Sequence, residues 1–281
     1  MGTFGKMRST RPLKAMDTFD ALTYWETRLQ ASPPIAGVGC LGLSESYNRW
    51  LHRIKARSFR SAIRSIPWEW RDKRILDVGS GTGFCIRTWQ RIGAGEILAS
   101  DFTDHAVRYL RSRLRGVPVV RMDIGQPEPE AAGEFDAISA FDVFFHITDD
   151  GAYLQALRNV SKLLRPEGYF VFTENFLHDG EQRNEHLASR TLAEIESALA
   201  TVGLVPLRRR SVFVLMNRPI DSTSRLRNLL WRGVARLAVT EPGGWLTGAA
   251  LFPLELGLAR ITREGPSTEL MICRKQPLPH A

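Results

Sequence analysis

The chain has 281 residues, of which 43% are hydrophobic and 24% charged, and its formal net charge is +8 at pH 7. These proportions are typical of globular domains and exclude disordered, collagen-like and fibrous proteins. The cysteines Cys40, Cys85 and Cys273 are too few and too widely spaced for a disulfide framework or a cysteine-based zinc site. The sequence therefore predicts no metal site, and we expect a reducing, cytoplasmic environment.

The excess positive charge lies near the two ends of the sequence. Residues 1–73 contain 13 basic and 6 acidic side chains, and residues 201–281 contain 12 and 5, whereas residues 74–200 contain 13 and 19. Residues 1–14 are not followed by the apolar run of a secretory signal. The apolar run at 243–258 is shorter than the ~20 residues of a membrane-spanning helix. We therefore expect no signal peptide and no transmembrane helix.

The middle of the sequence alternates between strand and helix patterns. In chain order, the predicted strands are 74–78, 96–100, 119–122, 135–140, 169–173, 205–215 and 268–274. The predicted helices are 84–92, one capped by Thr103 or Asp104, one capped by Asp149 or Asp150, 191–201, and an amphipathic segment at 225–237. Strands separated by helices form βαβ units, so the sequence predicts an α/β fold with a doubly wound, mostly parallel sheet of seven strands.

Two further segments are expected to flank this sheet. We interpret residues 1–69 as an N-terminal helical cap, 70–215 as the α/β core, 216–267 as a helical lid inserted before the last strand, and 268–281 as the final core strand and tail. The aromatic and basic residues of the first segment are equally compatible with a helical layer that packs on the core and exposes its arginines.

A glycine-rich segment joins the first predicted strand to the first predicted helix of the core. Residues 77–83 read Asp-Val-Gly-Ser-Gly-Thr-Gly. Glycines permit a tight turn and a close approach of a ligand to the backbone, and the following helix begins with free N–H groups. A dinucleotide-binding fingerprint would require its third glycine at position 84, where Phe84 stands, so the spacing disfavours a nicotinamide site.

Acidic residues end or follow the next two strands. Asp101 lies 24 residues after Asp77, at a spacing typical of a carboxylate that binds ribose hydroxyls. Asp123 follows the third strand, where its carboxylate can accept a hydrogen bond from the amino group of an adenine. In a parallel sheet these strand ends meet at one edge, so the pattern predicts a nucleoside-binding site there.

In this combination the sequence resembles the class I S-adenosylmethionine-dependent methyltransferases, especially the small-molecule branch of ubiquinone and menaquinone methyltransferase-like proteins. The resemblance extends over about residues 70–175 and rests on five segments in matching order: 75–83, 100–102, 121–124, 135–139 and 163–168.

The resemblance implies S-adenosyl-L-methionine as cofactor. The glycines would contact its amino-acid part, Asp77 its ammonium group, Asp101 its ribose, and Asp123 with Ile124 its adenine. The implied cofactor-binding residues are Asp77, Gly79, Gly81, Gly83, Asp101, Phe102, Asp123, Ile124 and Phe141.

The acceptor side of the site is predicted less directly. A hydroxyl acceptor must lose a proton, and His146, after the fourth strand, is the candidate general base; its alternative role is to pack or to orient the acceptor. His178 and His186 are expected to be exposed. The candidate acceptor-binding residues are Tyr24, Tyr47, Trp50, Glu174 and Asn175. The last two could instead form a solvated strand end.

The leading hypothesis is methyl transfer, most readily to oxygen, on a small or lipid-like acceptor. The basic ends of the chain favour an anionic or membrane-associated acceptor, and residues 225–237 could form a lid, a membrane-surface element or a dimer contact, or pack on the core. The oligomeric state is not predicted.

Two alternatives remain. Nucleic-acid methylation would suit the basic charge, but residues 141–144 read Phe-Asp-Val-Phe instead of the Asn/Asp-Pro-Pro-aromatic pattern of base amino-group methyltransferases, and a Pro-Cys nucleophile is absent. Nucleic acid is therefore disfavoured as a partner. The other alternative is a protein that binds the cofactor without transferring a methyl group.

Overall fold

The predicted seven-stranded, mostly parallel sheet is confirmed by the computed structural model of the chain, which describes residues 19–32, 34–129 and 133–276. Residues 1–18 of the predicted cap and 277–281 of the predicted tail lie outside the described residues. The strands are β1 (Arg74–Val78), β2 (Glu96–Asp101), β3 (Val119–Arg121), β4 (Phe135–Ala140), β5 (Leu164–Glu174), β6 (Gln182–Asn184), β7 (Leu187–Ser189), β8 (Leu204–Ser211) and β9 (Glu269–Lys275).

The helices follow the predicted alternation within the core. They are α1 (Ala21–Ala31), α2 (Pro34–Gly37), α3 (Glu45–Arg64), α4 (Phe84–Ile92), α5 (Asp104–Arg113), α6 (Asp150–Leu163), α7 (Leu192–Thr201), α8 (Arg225–Leu237) and α9 (Glu241–Ile261), with a 3₁₀ turn at Phe144–His146. Thr103 and Asp149 cap α5 and α6 through their side chains, and Thr191 forms a capping box with Glu194 at α7.

The main sheet has the strand order β3-β2-β1-β4-β5-β9-β8. The first five strands of this order run parallel, whereas β9 pairs antiparallel with both β5 and β8. The chain builds outward from β1 to β3 and then crosses back to β4, so strand order reverses between β1 and β4. Open α/β sheets bind ligands at the carboxyl ends of the strands beside such a reversal.

Alternate residues of the central strands face two separate hydrophobic layers. Ile75 and Val171 face a layer that contains α3, α4 and α5, and Leu76 and Phe170 face a layer that contains α6 and α7. Both faces of the sheet are therefore covered, which explains why the central strands read as nearly continuous apolar runs.

Helices α8 and α9 occupy the predicted insertion; α9 packs against α3, and α8 packs against α9. The buried carboxylate of Glu255 accepts backbone N–H groups of residues 214–216 at 2.5 to 3.1 Å, so the acidic residue that interrupts the apolar run is satisfied inside the protein. Glu241 accepts the backbone N–H groups of Glu45 and Ser46 at 2.8 and 2.9 Å and thereby caps α3.

Two parts of the fold were not predicted. The β6–β7 hairpin lies in a polar stretch without the alternation of a strand, and α9 contains Pro253 together with four glycines, which are poor helix formers. Across the described ranges, no helix is long and apolar enough to cross a membrane.

The contact between α9 and α3 can be tested at glycine. A Cβ at Gly248 would lie 2.1 Å from Cδ1 of Trp50, so Gly248→Ala should lower the free energy of unfolding by about 1–3 kcal/mol through overpacking. Gly257 on the same helix has open space, and Gly257→Ala should be neutral or stabilising by up to about 1 kcal/mol. Urea denaturation compares the two, and equal free energies would contradict this packing.

Candidate active site

A cavity of about 340 Å³ lies at the carboxyl ends of β1, β2 and β4, beside the reversal of strand order. Its volume is within the range of about 300 to 1,000 Å³ that is usual for small-molecule sites. The floor is formed by residues 78–82, 101–103 and 122–126, and the walls by residues 141–143 and 146–149. The remaining lining comes from Phe84, Ala152, α1, Phe19, Val38 and His52.

The loop after β1 has a backbone that only glycine accommodates readily. Gly79, Gly81 and Gly83 have φ values of 62°, 50° and 77°, in the left-handed region. A Cβ at Gly79 would lie 2.4 Å from Cγ2 of Val143. Gly79 and Gly81 line the cavity, whereas Gly83 begins α4 without lining it. The first two glycines therefore expose backbone to a ligand, and the third shapes the turn into the helix.

Asp101 connects this loop to the end of β2. Its Oδ2 accepts the backbone N–H of Gly81 at 3.0 Å, and its Oδ1 accepts the N–H and the hydroxyl of Thr103 at 3.0 and 2.8 Å. Burial raises the pKa of Asp101, although these hydrogen bonds act in the opposite direction. The carboxylate lines the cavity and fixes the positions of two neighbouring loops.

Asp77, predicted to contact the cofactor, lies beneath the glycine loop and does not line the cavity. Its Oδ1 accepts the hydroxyl of Ser139 at 2.5 Å, and that hydroxyl in turn accepts the indole N–H of Trp89 at 3.1 Å. Burial raises the pKa of Asp77 to about 7. The side chain thus links β1, β4 and α4 behind the site. From the sequence alone, this supporting position could not be distinguished from direct contact with a ligand.

The other predicted cofactor residues do line the cavity: Phe102, Asp123, Ile124 and Phe141. The Oδ1 atom of Asp123 accepts the N–H of Gly125 at 2.9 Å, which orders the loop after β3. The ring of Phe141 contacts the rings of Phe59 and Phe84 edge-on, with centroids 4.8 and 5.3 Å away. The end of β4 is therefore held by aromatic packing against α3 and α4.

His146 lines the cavity at the end of the 3₁₀ turn. Its Nδ1 lies 2.9 Å from the carbonyl oxygen of His186, and a carbonyl only accepts, so Nδ1 carries the proton and Nε2 is the free acceptor. Burial lowers the pKa of His146 to about 4, so the imidazole is neutral near pH 7. Trp25 packs against this ring at 4.6 Å between centroids.

Two cavity residues were missed by the sequence analysis, Asp142 and His52. Asp142 adopts a φ of 56°, is ion-paired with the buried Lys55, and accepts the hydroxyl of Thr173 at 3.2 Å. Because Asp142 directly follows Phe141, an implied cofactor-binding residue, its place in the sequence could have indicated that it lines the cavity. His52 lies one turn before Lys55 on α3, and burial lowers its pKa to about 3. Its sequence setting does not distinguish it from a core histidine.

The cavity is covered by α1. Trp25 and Leu29 of this helix face the cavity. The carboxylate of Glu26 accepts the backbone N–H groups of Asp104 and His105 at the start of α5, and Arg28 donates to the carbonyl oxygens of Gly37, which ends α2, and of Gly39. Within the described residues, 216–267 contribute nothing to the lining. The cover therefore comes from the N-terminal segment and differs from the predicted lid.

The five candidate acceptor residues lie outside the lining of this cavity. Tyr47 is fully buried and donates its hydroxyl to the carbonyl oxygen of Met216 at 2.9 Å, and Trp50 packs on Phe252 with centroids 5.0 Å apart. Both side chains thus hold α3 against the α8–α9 segment. This placement matches the alternative of a helical layer packed on the core.

Tyr24, Glu174 and Asn175 occupy three different surroundings. Tyr24 stacks on the ring of His186 at 5.0 Å, behind the cavity wall. Glu174 and Asn175 are buried, and Nδ2 of Asn175 donates to Ser189 at 2.7 Å, so they are not a solvated strand end. His186 is half-buried, whereas His178 is more exposed and contacts the carboxylates of Asp221 and Glu264.

The charged side chains that line the cavity are acidic. Its lining contains Asp101, Asp123, Asp142 and Asp149, but among the described residues no lysine or arginine. Such a lining attracts a cationic ligand and repels phosphate groups. The described part of the basic N-terminal end reaches the site through Lys55, which is ion-paired with Asp142 from outside the lining. In the described part of the chain, no three His, Cys, Asp or Glu side chains are grouped to hold a metal ion.

The comparisons with known proteins concern this same part of the chain. Residues 75–168 match the family described as "Methyltransferase domain". The chain is 27% identical over 111 residues to a ubiquinone biosynthesis O-methyltransferase of Neisseria meningitidis, and 30% identical over 122 residues to that of Cereibacter sphaeroides. These matches cover 37% and 42% of this chain and 44% and 47% of the relatives, so the chain spans less than half of their length.

A solved structure extends the similarity to nearly the whole chain. The magnesium protoporphyrin IX methyltransferase of Synechocystis, solved with bound S-adenosylmethionine, superposes with a TM-score of 0.57 at 12% identity. The match covers 93% of this chain and 100% of that protein. At this identity the likeness shows the fold.

The buried carboxyl of Glu174 gives a test of this end of β5. Burial raises its pKa to about 8 from the ordinary 4.5, so the folded chain keeps a proton that the unfolded chain loses between these pH values. The stability that this proton gives the wild type is thus lost as pH rises from 4.5 to 8. Between about pH 5 and pH 8, the free energy of unfolding of the wild type should therefore fall by at least about 1 kcal/mol relative to that of Glu174→Gln.

Urea denaturation at the two pH values measures this difference. Glu196→Gln, at an exposed position on α7, is the matched control and should follow the wild type. A constant difference between Glu174→Gln and the wild type would mean that Glu174 is ionised in the folded protein.

Proposed function

We propose that this chain, whose residues 75–168 match a methyltransferase-domain family, transfers a methyl group from S-adenosylmethionine to a hydroxyl oxygen of a small, mostly apolar acceptor. One observation carries the proposal: the glycine loop, the ends of β2 and β3 and His146 meet in a single cavity whose lining contains aspartates and, among the described residues, no lysine or arginine. This combination suits a cationic nucleoside better than a phosphate-bearing dinucleotide.

The residues present fit this cofactor. The backbone at Gly79 and Gly81 is open to the cavity, and Asp101 and Asp123 provide carboxylates at the ends of β2 and β3, where a ribose and an adenine would be bound. When bound, S-adenosylmethionine supplies a methyl group on a positively charged sulfur. The aspartate-rich lining compensates that charge, and the expected contact of Asp77 with the ammonium group would be indirect, through the glycine loop.

Beyond the cofactor-binding floor, the cavity also presents apolar surface next to Asp142, His146 and Asp149. Side chains of Trp25, Leu29, Phe84, Phe141 and Ile147 line this part of the cavity. They favour an acceptor with an aromatic or aliphatic body and do not favour an anionic one, in contrast to what the total charge suggested. The naming of the relatives for O-methylation in ubiquinone biosynthesis supports oxygen as the methylated atom.

His146 would accept the proton of the acceptor hydroxyl. Its Nε2 is unprotonated, and the hydrogen bond from Nδ1 to His186 fixes the ring orientation. Burial makes His146 a weak base with a pKa near 4, and the negative charge of Asp142 partly offsets this effect because it favours the protonated imidazole. Asp142 would thus act as a positioning residue, held by Lys55.

The α1 cover would exclude water from the reaction. A sulfonium methyl group is attacked in line by the acceptor oxygen, so the protein contributes mainly alignment and dehydration. Trp25 lies over His146, and Glu26 fastens α1 to the first turn of α5. Release of that fastening gives a route for the acceptor to enter and the product to leave.

Cofactor binding tests the first half of the proposal. Asp101→Asn should weaken binding of S-adenosylmethionine and of its demethylated product by at least about tenfold, because a hydrogen bond to a charged group contributes about 1.5–3 kcal/mol. Isothermal titration calorimetry gives both affinities. Asp72→Asn, at an exposed site before β1, is the control and should bind as the wild type does. Failure of the wild type to bind either compound would refute the proposal.

Turnover tests the role of His146. His146→Gln should lower kcat by about 10²-fold or more, because it removes the proton acceptor, while the affinity for S-adenosylmethionine stays within about twofold. Transfer of labelled methyl groups to catechols and hydroxybenzoates with alkyl chains provides the assay, and His105→Gln is the control. Unchanged kcat would exclude His146 as the base, and cofactor binding without transfer to any of these phenols would favour the alternative of a non-transferring protein.

A further inference from the structure

Helix α8 carries an apolar stripe that points away from the protein. Leu226, Leu230 and Leu237 are spaced four and seven residues apart, which places them on one helix face, and all three are more than half exposed. Gly233 lies on the same face in open space. The half-buried residues of α8 are Asn228, Trp231, Val234 and Ala235, which lie beside or opposite this stripe, and Val234 packs on the core. Amphipathic helices usually bury their leucine face, so packing within this chain does not explain the stripe.

Helix α9 also exposes apolar side chains. From residue 242 to residue 259 its only charged side chain is Glu255, which is buried. Trp245, Leu246 and Leu254 are more than half exposed, and Ile261 is 77% exposed. Residues 238–240 alone connect α9 to α8, and we call the exposed apolar residues of the two helices and of this connection the α8–α9 face. Its exposed apolar residues are Leu226, Leu229, Leu230, Leu237, Val239, Trp245, Leu246, Leu254 and Ile261.

Positive charge borders this face. The sequence of α8 contains Arg225, Arg227, Arg232 and Arg236 and no acidic residue, and all four arginines are exposed. By helical spacing, positions 225, 232 and 236 fall on one side of the leucine stripe, away from the packed face. Leucines with one tryptophan, flanked by arginines, form the pattern of helices that lie in the headgroup region of a membrane.

We propose that the α8–α9 face binds the surface of a membrane that contains anionic lipids. The arginines would contact lipid phosphates, and the leucines and Trp245 would enter the boundary between headgroups and acyl chains. A second copy of the chain fits less well, because a symmetric contact would bring the arginines of one copy against those of the other. Nucleic acid would satisfy the arginines but leave the leucines exposed to water.

This inference does not depend on methyl transfer. The α8–α9 face lies outside the cavity lining, so it would hold the protein at a membrane without occupying the site. If the proposed function also holds, membrane attachment places the apolar cavity near lipid-like acceptors. The basic charge of the C-terminal part of the sequence would then hold the protein at the membrane, while the cavity itself would select an apolar acceptor.

Sedimentation of the full chain with lipid vesicles tests the inference. The wild type should bind vesicles of phosphatidylcholine mixed with phosphatidylglycerol, and bind vesicles of phosphatidylcholine alone at least about tenfold more weakly. Combined Arg225→Gln, Arg232→Gln and Arg236→Gln substitutions should weaken binding to the mixed vesicles by about tenfold or more. Combined Leu229→Ser, Leu230→Ser and Trp245→Ser substitutions should have a similar effect, since these exposed side chains would no longer insert.

A matched control separates this surface from total charge. Arg91, Arg108 and Arg158 are exposed on other helices, and changing all three to Gln removes the same charge. This variant should bind mixed vesicles as the wild type does. Circular dichroism and cofactor titration should be unchanged in all three variants. The inference fails if the wild type does not sediment with mixed vesicles, if the control loses as much binding as the α8 variants, or if sedimentation velocity shows that the leucines mediate self-association instead.

Discussion

The carboxylate of Asp101 holds together the two loops on which the candidate active site depends. It accepts hydrogen bonds from Gly81 in the loop after β1 and from Thr103 after β2, and it also lines the cavity. Because the carboxyl ends of adjacent parallel strands lie side by side, a single buried acid can organise the glycine turn and still face a ligand. The sharp turn at Gly79 and the segment after β4 are positioned around this arrangement, with Val143 close against Gly79.

The cavity and helix α8 have opposite charge characters. Within the described residues, the lining holds aspartates without lysine or arginine, whereas α8 exposes arginines beside leucines. An electronegative cavity suits a cationic cofactor and an uncharged acceptor, and a basic apolar surface suits an anionic lipid interface. The net charge of +8 therefore does not describe the charge that a ligand in the cavity would meet.

Much of the α/β core was predictable, because its signals are local. Strands such as β4 are short apolar runs, and the helices begin at recognisable caps, for example Thr103 and Asp149. The floor of the cavity was predictable for the same reason, since Gly79 and Asp101 directly follow or end strands. An N-terminal helical cap was expected, but the residues by which α1 covers the cavity were not, because Trp25 and Glu26 contact segments far away in the sequence. Aromatic residues at helical spacing, such as Trp50, do not reveal which neighbour they will pack against.

The sequence by itself determined the strand and helix order, the glycine turn and the acids at the strand ends, since these depend on backbone conformation and local periodicity. Only the tertiary structure decided that Asp77 lies beneath the loop, that His146 has Nε2 free, and that α9 buries Glu255 while exposing its leucines. Burial, hydrogen-bond partners and outward orientation arise when distant segments meet, and residue spacing does not encode which segments those are.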